Sequence, residues 1–320
     1  LLDILFTDER DDVSDNDSTD INETKNSQPA LFALEWSLAQ LWKSRDIYPS
    51  IVLGHSIGEI AAACVAGVMS METGMELVIH RGRLMQSVPS QEGAMYATRC
   101  NRELVEDEIL KLSNSEVDIQ KRVSIACVNG PDSVVISGHE QSVLLVLDRL
   151  GSDCKGRHRL NVSHAFHSPL MSPMLEEFRS VLEKMKFGPC KIPLASTVAG
   201  RVIGVGEILD LNHWILQVTE PVLFSKALEE SLKHQFKNNK LLSGHGIKHI
   251  LEIGPSPVLT GMCRSWIKRK DIDMLTWHTS LDPKSTIDDV KSTRKTMLAL
   301  KGDECFSLER SSKLKSYRWT

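Results

Sequence analysis

The hexapeptide Gly54-His55-Ser56-Ile57-Gly58-Glu59 constrains this chain more than any other stretch because of what flanks it. Ile51 to Leu53 is a short apolar run suited to a buried strand, and Ile60 to Val68 is a run of small and apolar residues suited to a helix. Strand, sharp turn and helix therefore follow one another directly. This is the G-x-S-x-G nucleophile elbow, in which a strained turn pushes a serine hydroxyl clear of the backbone. The spacing predicts that Gly54 and Gly58 must both be small, since side chains there would collide where strand and helix pass. A helix opening at Ile57 would also aim unpaired N–H groups, the Ile57 N–H first, at any negative oxygen formed beside Ser56.

Either side of this unit the periodicity predicts an α/β chain. Residues 8–27 are acidic and polar with almost no apolar side chains, which predicts a mobile loop. Leu31, Leu34, Leu38 and Leu41 then recur at helical spacing before Pro49. Residues 93–163 change texture: strands are expected at Ala94–Thr98, Val123–Val128, Val134–Ser137 and Arg159–Val162, with helices near 101–113 and 139–150. That order is the βαββαβ, or ferredoxin-like, pattern, and Asn129-Gly130-Pro131-Asp132 supplies turn chemistry between its middle strands. The fold class expected is thus α/β, with an α/β-hydrolase-like large subdomain (1–92 and 164–262) and an inserted ferredoxin-like small one (93–163). In the large one, a helix near 172–186, a strand over Ile192–Val198, a helix over Phe224–Gln235 and a strand over His249–Ile253 are expected. Residues 263–320 lose clear periodicity and read as a C-terminal linker or appendage.

Composition narrows the function. A net charge of −4 offers no basic face for nucleic acid, so a small molecule or a protein partner is the better expectation. No apolar run reaches the roughly 18–20 residues that cross a bilayer, so neither a membrane nor a nucleic-acid partner is expected and the address is read as cytoplasmic. The seven cysteines are spread singly, which suggests neither a disulfide framework nor a metal site.

Two further positions carry chemistry. From Met71 to Ser87, Met71, Met75, Val78, Arg81 and Met85 share one helix face, while Glu76, His80, Arg83 and Ser87 make the opposite polar face. Arg83 is a solvated charge on that reading, whereas Arg81 is turned inward and either meets an anion, a substrate carboxylate or a structural Asp or Glu, or snorkels its charge out to water. A serine hydroxyl also needs a base to take its proton. Asn161-Val162-Ser163-His164-Ala165-Phe166-His167-Ser168 brings two histidines around an aromatic at a strand end, and periodicity does not choose between His164 and His167.

Six blocks together resemble the acyltransferase family of polyketide and fatty-acid synthases, including the stand-alone malonyl-CoA:carrier-protein transacylases. They are SQPALFALEWSLAQLW (27–42), GHSIGE (54–59), RGRLMQ (81–86), CVNGPDSVVISG (127–138), VSHAFHSPLM (162–171) and LEIGPSPVLTGM (251–262), in family order across about residues 28–262. The resemblance implies Ser56 as acylated nucleophile and His167 as its base, with Arg81 holding the malonyl carboxylate and the Ile57 N–H giving half of the oxyanion hole. Gln28 and His55 are implied as substrate-binding. It also implies a Ser-His dyad in which a backbone carbonyl near Ser196 holds the imidazole. The HAFH form resembles malonyl-selecting members, where an aromatic at the position of Phe166 fills the space of an α-methyl branch, and Ile57 agrees with that group. The implied substrate is malonyl-CoA, the implied partners an acyl-carrier protein bearing phosphopantetheine and neighbouring synthase domains such as a ketosynthase. No cofactor or metal is expected to be bound by the domain itself.

One departure stands out. The family opens with a Gly-Gln-Gly strand end whose glutamine N–H completes the oxyanion hole, and this sequence contains no such motif, so truncation or degeneration is the expectation. Loss of one such donor costs roughly 3–4 kcal/mol in the transition state. The rival readings are a serine esterase or thioesterase, which shares G-x-S-x-G, and a non-catalytic scaffold.

Overall fold

The computed structural model describes residues 20–281 apart from 91, 116–118, 235–246, 248 and 268–274. The larger unit opens with α1 (Thr24–Lys43), β1 (Val52–Leu53), α2 (Ile57–Val65) and α3 (Met71–Ser87). α1 starts at Thr24, inside the stretch expected to be loop; residues 20–23 before it form a turn, and residues 8–19 lie outside the described residues. Its buried face follows the leucine row only in part. Gln28, Phe32, Leu38 and Trp42 are buried, whereas Leu41 is exposed. The reason is tertiary: α3 crosses so closely that a side chain at Gly82 would press within 2.9 Å of the Thr24 carbonyl, and the Trp42 indole donates to Ser280 Oγ at 2.7 Å. On α3 the Ser70 hydroxyl caps the first turn by accepting from the Thr73 N–H at 3.2 Å.

The smaller unit runs β2 (Gly93–Arg99), α4 (Arg102–Ser115), β3 (Val123–Gly130), β4 (Ser133–His139), α5 (Glu140–Leu150) and β5 (Lys155–Arg159). Its strands form an antiparallel sheet in the order β3-β4-β2-β5. Val105, Ile125, Ile136, Val143 and Leu147 meet in a core of their own beneath it. The last strand lies over Lys155–Arg159 rather than Arg159–Val162. Every side chain of β5 is exposed, so the edge strand is held by backbone pairing to β2 and carries none of the hydrophobic alternation that sequence patterns detect.

The chain returns through a 3₁₀ turn at Pro169–Met174 into α6 (Leu175–Leu182), shorter than the expected 172–186 because Pro169 and Pro173 interrupt its start. β6 (Leu194–Ser196) pairs in parallel with β1 and antiparallel with β7 (Arg201–Ile203). α7 (Leu211–Thr219) and α8 (Phe224–Lys233) follow. Phe32, Ile60, Leu77, Phe178, Leu194 and Trp214 centre the core of this unit. A third apolar cluster, with Met95, Ala126, Val222, Phe224 and Cys263, joins the two units. There the Val128 N–H donates to the Val222 carbonyl and the Val222 N–H to the Ala126 carbonyl, at 2.9 and 2.8 Å.

Residues 263–267 and 275–281 carry regular structure where a linker or appendage was expected. β8 (His249–Glu252) leads into α9 (Val258–Trp266), and β9 (Thr276–Thr279) pairs in parallel with β8. Cys263 is buried in the junction core. Strand partners distant in sequence leave no local periodicity to read. Residues 282–320 lie outside the described residues. Among the described residues, no helix is long and apolar enough to cross a membrane.

Candidate active site

The turn after β1 sets the geometry. Ser56 sits at φ 50° and ψ −117°, a conformation that L-residues rarely adopt and that costs on the order of 1–3 kcal/mol unless the surroundings hold it. A Cβ on Gly54 would lie 2.1 Å from the Gly58 carbonyl group, so Gly54 is sterically required. Gly58 is not: a Cβ there would meet only the Glu35 carboxylate oxygens, at 3.8 Å. The strand approaches the first helical turn at Gly54 alone, which corrects the symmetric expectation. The Gly58 and Glu59 N–H groups turn back onto the His55 and Ser56 carbonyls at 3.0 and 2.9 Å. The Ile57 N–H, first in α2, takes no hydrogen bond among the described residues and is open to an incoming anion.

Across the cleft, Ser56 Oγ stands 2.8 Å from His167 Nε2. His167 Nδ1 is 3.1 Å from the Glu220 carbonyl. A carbonyl can only accept, so Nδ1 carries the proton and Nε2 presents its lone pair to the serine hydroxyl. The expected carbonyl near Ser196 is thus replaced by that of Glu220, which the backbone bridge through Val222 brings to the imidazole. His167 itself has φ 53°, and the Ser124 hydroxyl holds its carbonyl at 2.9 Å. Burial, then the Arg81 charge and His55, push its pKa down to about 3, against the smaller opposing effect of the Glu220 carbonyl. The imidazole is therefore a neutral acceptor at physiological pH.

His164 does different work. Its Nε2 donates to the Val88 carbonyl and its Nδ1 accepts from the Ser163 hydroxyl, both at 2.8 Å. The imidazole that the structure brings to Ser56 is that of His167.

Arg81 is only 2% exposed. Its Nη1 donates to Gln28 Oε1 at 2.7 Å, its Nε to Gln217 Oε1 at 3.1 Å and its Nη2 to Ser56 Oγ at 3.5 Å. All three acceptors are neutral, and among the described residues no carboxylate pairs with it. The structural ion pair weighed from the sequence is absent there. Desolvation pulls its pKa down to about 9, so it remains cationic at neutral pH while lacking a counter-ion. Arg83 is exposed and pairs with Glu177 at 3.0 Å.

The remaining positions differ in what they touch. Gln28 braces Arg81 and donates to Met85 Sδ at 3.3 Å. His55 Nε2 is 2.9 Å from Asn129 Oδ1, and its ring lies 5.4 Å from that of Phe224, so it ties the elbow to the smaller unit; burial lowers its pKa. Phe166 is half-buried between the large and junction cores, 5.9 Å from the His164 ring.

The sequence reading passed over Gln217, Glu220 and the buried trio Glu59, Thr197 and His213. Gln217 had a detectable signal, since it shares a face with buried Trp214 and Val218, as Arg81 does with its methionines. Glu220 acts through its backbone carbonyl and leaves no signal in side-chain identity. Among the described residues, no three His, Cys, Asp or Glu side chains cluster as metal ligands.

The family described as "Acyl transferase domain" matches residues 3–269. The chain belongs to this family. The acyltransferase domain is 40% identical over 242 residues to "Polyketide synthase GfsA" of Streptomyces halstedii, covering 76% of this chain and 3% of that protein. The chain therefore spans a small fraction of this curated relative's length. Among solved structures it is similar to the acyltransferase domain from the second module of the salinomycin polyketide synthase, with 31% identity and a TM-score of 0.75, covering 98% of this chain and 70% of that one. It is also similar to a type II polyketide synthase acyl-carrier protein in complex with its malonyl-transacylase, with 26% identity and a TM-score of 0.71, covering 88% of this chain and 85% of that one. This is an acyltransferase domain of the polyketide and fatty-acid synthase type.

Proposed function

We propose that the domain moves a malonyl group from malonyl-CoA, through a Ser56 ester, to the phosphopantetheine thiol of an acyl-carrier protein. The observation that carries this reading is Ser56 Oγ standing between a neutral imidazole at 2.8 Å and a buried guanidinium, at 3.5 Å, that has no carboxylate partner among the described residues. Ser56 Oγ attacks the thioester carbonyl as its proton passes to His167 Nε2. The oxyanion takes the Ile57 N–H, and collapse expels the coenzyme A thiolate, which recovers the proton from the imidazolium. In the second half the carrier thiol gives its proton to His167 and attacks the ester, and Ser56 leaves with that proton restored.

Arg81 supplies two further N–H groups to the malonyl carboxylate, which both selects the acyl group and fixes the carbonyl over Ser56. The malonyl-transacylase seen with its carrier protein supports this substrate and partner. The domain is read as part of a multidomain synthase in the cytoplasm, beside a ketosynthase, with residues 93–163 as a ferredoxin-like insert in an α/β-hydrolase-like unit. No resident cofactor is needed for either step.

Intact-mass spectrometry after adding malonyl-CoA tests the reading. One malonyl adduct is expected, mapping to Ser56 and discharged by a phosphopantetheinylated carrier protein. Release of free malonate with no carrier transfer would point to hydrolysis, and no adduct at all to a scaffold.

Phe166 is expected to exclude an α-methyl branch. Phe166→Ser should raise methylmalonyl relative to malonyl loading by roughly 10- to 100-fold, since one methyl group in an apolar pocket is worth about 1–3 kcal/mol. Unchanged selectivity in a competition between the two thioesters would remove Phe166 from the pocket.

A further inference from the structure

Folding brings two of the seven scattered cysteines together in the core of the smaller unit. β2 pairs antiparallel with β5, and after a shift between Thr98 and Arg99 the register sets Arg99 opposite Lys155. One step further along, Cys100 lies opposite Cys154. Directly opposed residues of an antiparallel pair have Cα atoms about 4.5–5.5 Å apart, within the roughly 4.4–6.8 Å that a disulfide spans. The two side chains touch, the Cys100 thiol donating to Cys154 Sγ. Cys154 Sγ is in turn 2.6 Å from the Thr98 hydroxyl, which donates to the Lys155 carbonyl at 3.2 Å. That hydroxyl has one hydrogen, so the Cys154 thiol donates to it.

Both thiols are buried. Burial, then the neighbouring Cys154, push the Cys100 thiol up to about 12, so in the closed fold it is protonated and unreactive. The route to the pair is the edge strand. From Gly151 to Arg159, Cys154 alone is buried. What else holds the segment is backbone pairing to β2 and the exposed ion pairs Arg157–Asp148 and Arg159–Glu140, and exposed pairs hold little. A segment with so few buried contacts opens without unfolding the rest. Opening frees Cys154, while Cys100 stays at the end of β2, which β4 still pairs on its other edge.

We infer that Cys100 and Cys154 form a modification site, a dithiol that a small-molecule disulfide such as oxidised glutathione closes into a Cys100–Cys154 disulfide, stapling β5 to β2. The Cys154 thiolate attacks one glutathione sulfur, the glutathione S–S bond breaks and the first glutathione thiolate leaves. As the strand closes, the Cys100 thiolate attacks Cys154 Sγ and expels the second. The two protons of the protein thiols end on the two glutathiones; the dithiol loses two electrons and the oxidant gains them. The staple fixes the strand that runs, through the Leu160 N–H bonded to the Met95 carbonyl, into the segment bearing His164 and His167. It is independent of the acyl-transfer reading.

The test incubates the full chain with an excess of oxidised glutathione, unfolds it in N-ethylmaleimide and maps the peptides by mass, with a thermal melt before and after. In wild type, Cys100 and Cys154 are expected in one cross-linked peptide pair without bound glutathione, the other cysteines being alkylated. The melting temperature should rise by about 5 °C and fall back in dithiothreitol. Cys100→Ser lacks the resolving thiol, so it should retain glutathione on Cys154 and show no such rise. Alkylation of both thiols in wild type, glutathione retained on both, or a link from either to another cysteine overturns the pairing. So does the same rise in melting temperature in Cys100→Ser. Should that variant fail to fold, the cross-linked peptide in wild type decides alone.

Discussion

Replacing His167 by alanine is expected to slow malonylation of Ser56 by about ten-thousand-fold, the upper range for losing a positioned general base. Among the described residues the serine hydroxyl has the His167 imidazole, at 2.8 Å, as the base bonded to it, and the guanidinium on its other side is a donor that cannot take a proton. Stopped loading by malonyl-CoA measures the effect; retention of more than about a tenth of the wild-type rate would show that another group takes the proton. The pH dependence is a sharper test. A free imidazole would lose its basic form below about pH 6.5, but burial and the Arg81 charge hold the pKa of His167 down to about 3. A lowered histidine pKa means the neutral form persists as pH falls. The rate at subsaturating malonyl-CoA, which reports the free enzyme, should therefore show no acid limb between pH 5 and 8 from this residue. A limb centred near 6.5 would mean that the imidazole is hydrated rather than buried.

Arg81→Ala carries the second large effect, and its signature is selectivity. Two charge-assisted hydrogen bonds to the malonyl carboxylate are worth about 3–5 kcal/mol together, so malonyl loading should fall by roughly 10²- to 4 × 10³-fold. Acetyl-CoA has no carboxylate to hold, and its loading should change far less. Arg81→Lys should not restore malonyl loading, because an ammonium cannot reproduce the planar fork braced by Gln28 and Gln217. Equal loss for malonyl and acetyl groups would refute recognition of the carboxylate and leave Arg81 with its donations to Ser56 Oγ, Gln28 and Gln217.

Much of this site was legible before any coordinates. G-x-S-x-G between an apolar strand and a small-residue helix announces a strained turn, and the turn has that form at Ser56. Arg81 betrayed itself by standing among methionines on an apolar face, and it is buried. Local signals failed in characteristic places. The Leu31–Leu41 row fits a helix, yet the buried face is shifted to Gln28, Phe32 and Trp42 because α3 lies across it. Gly58 obeys the motif but has room for a side chain. β5 is an exposed edge and β9 pairs with a strand more than twenty residues away, so neither writes an apolar period into its own residues.

By itself, then, the sequence determined the local units: the elbow at Ser56, the inward-facing Arg81, the alternating elements of residues 93–159 and two histidines competing for one task. The family resemblance named His167 as the base, and only the tertiary structure decided that the Glu220 carbonyl sets its tautomer, that Arg81 has no acidic partner among the described residues and that Gln217 joins it to the nucleophile. The physical reason is range. Periodicity and turn chemistry act over a few residues, whereas these contacts span 53 to 161 positions and exist only once packing has brought distant backbones together.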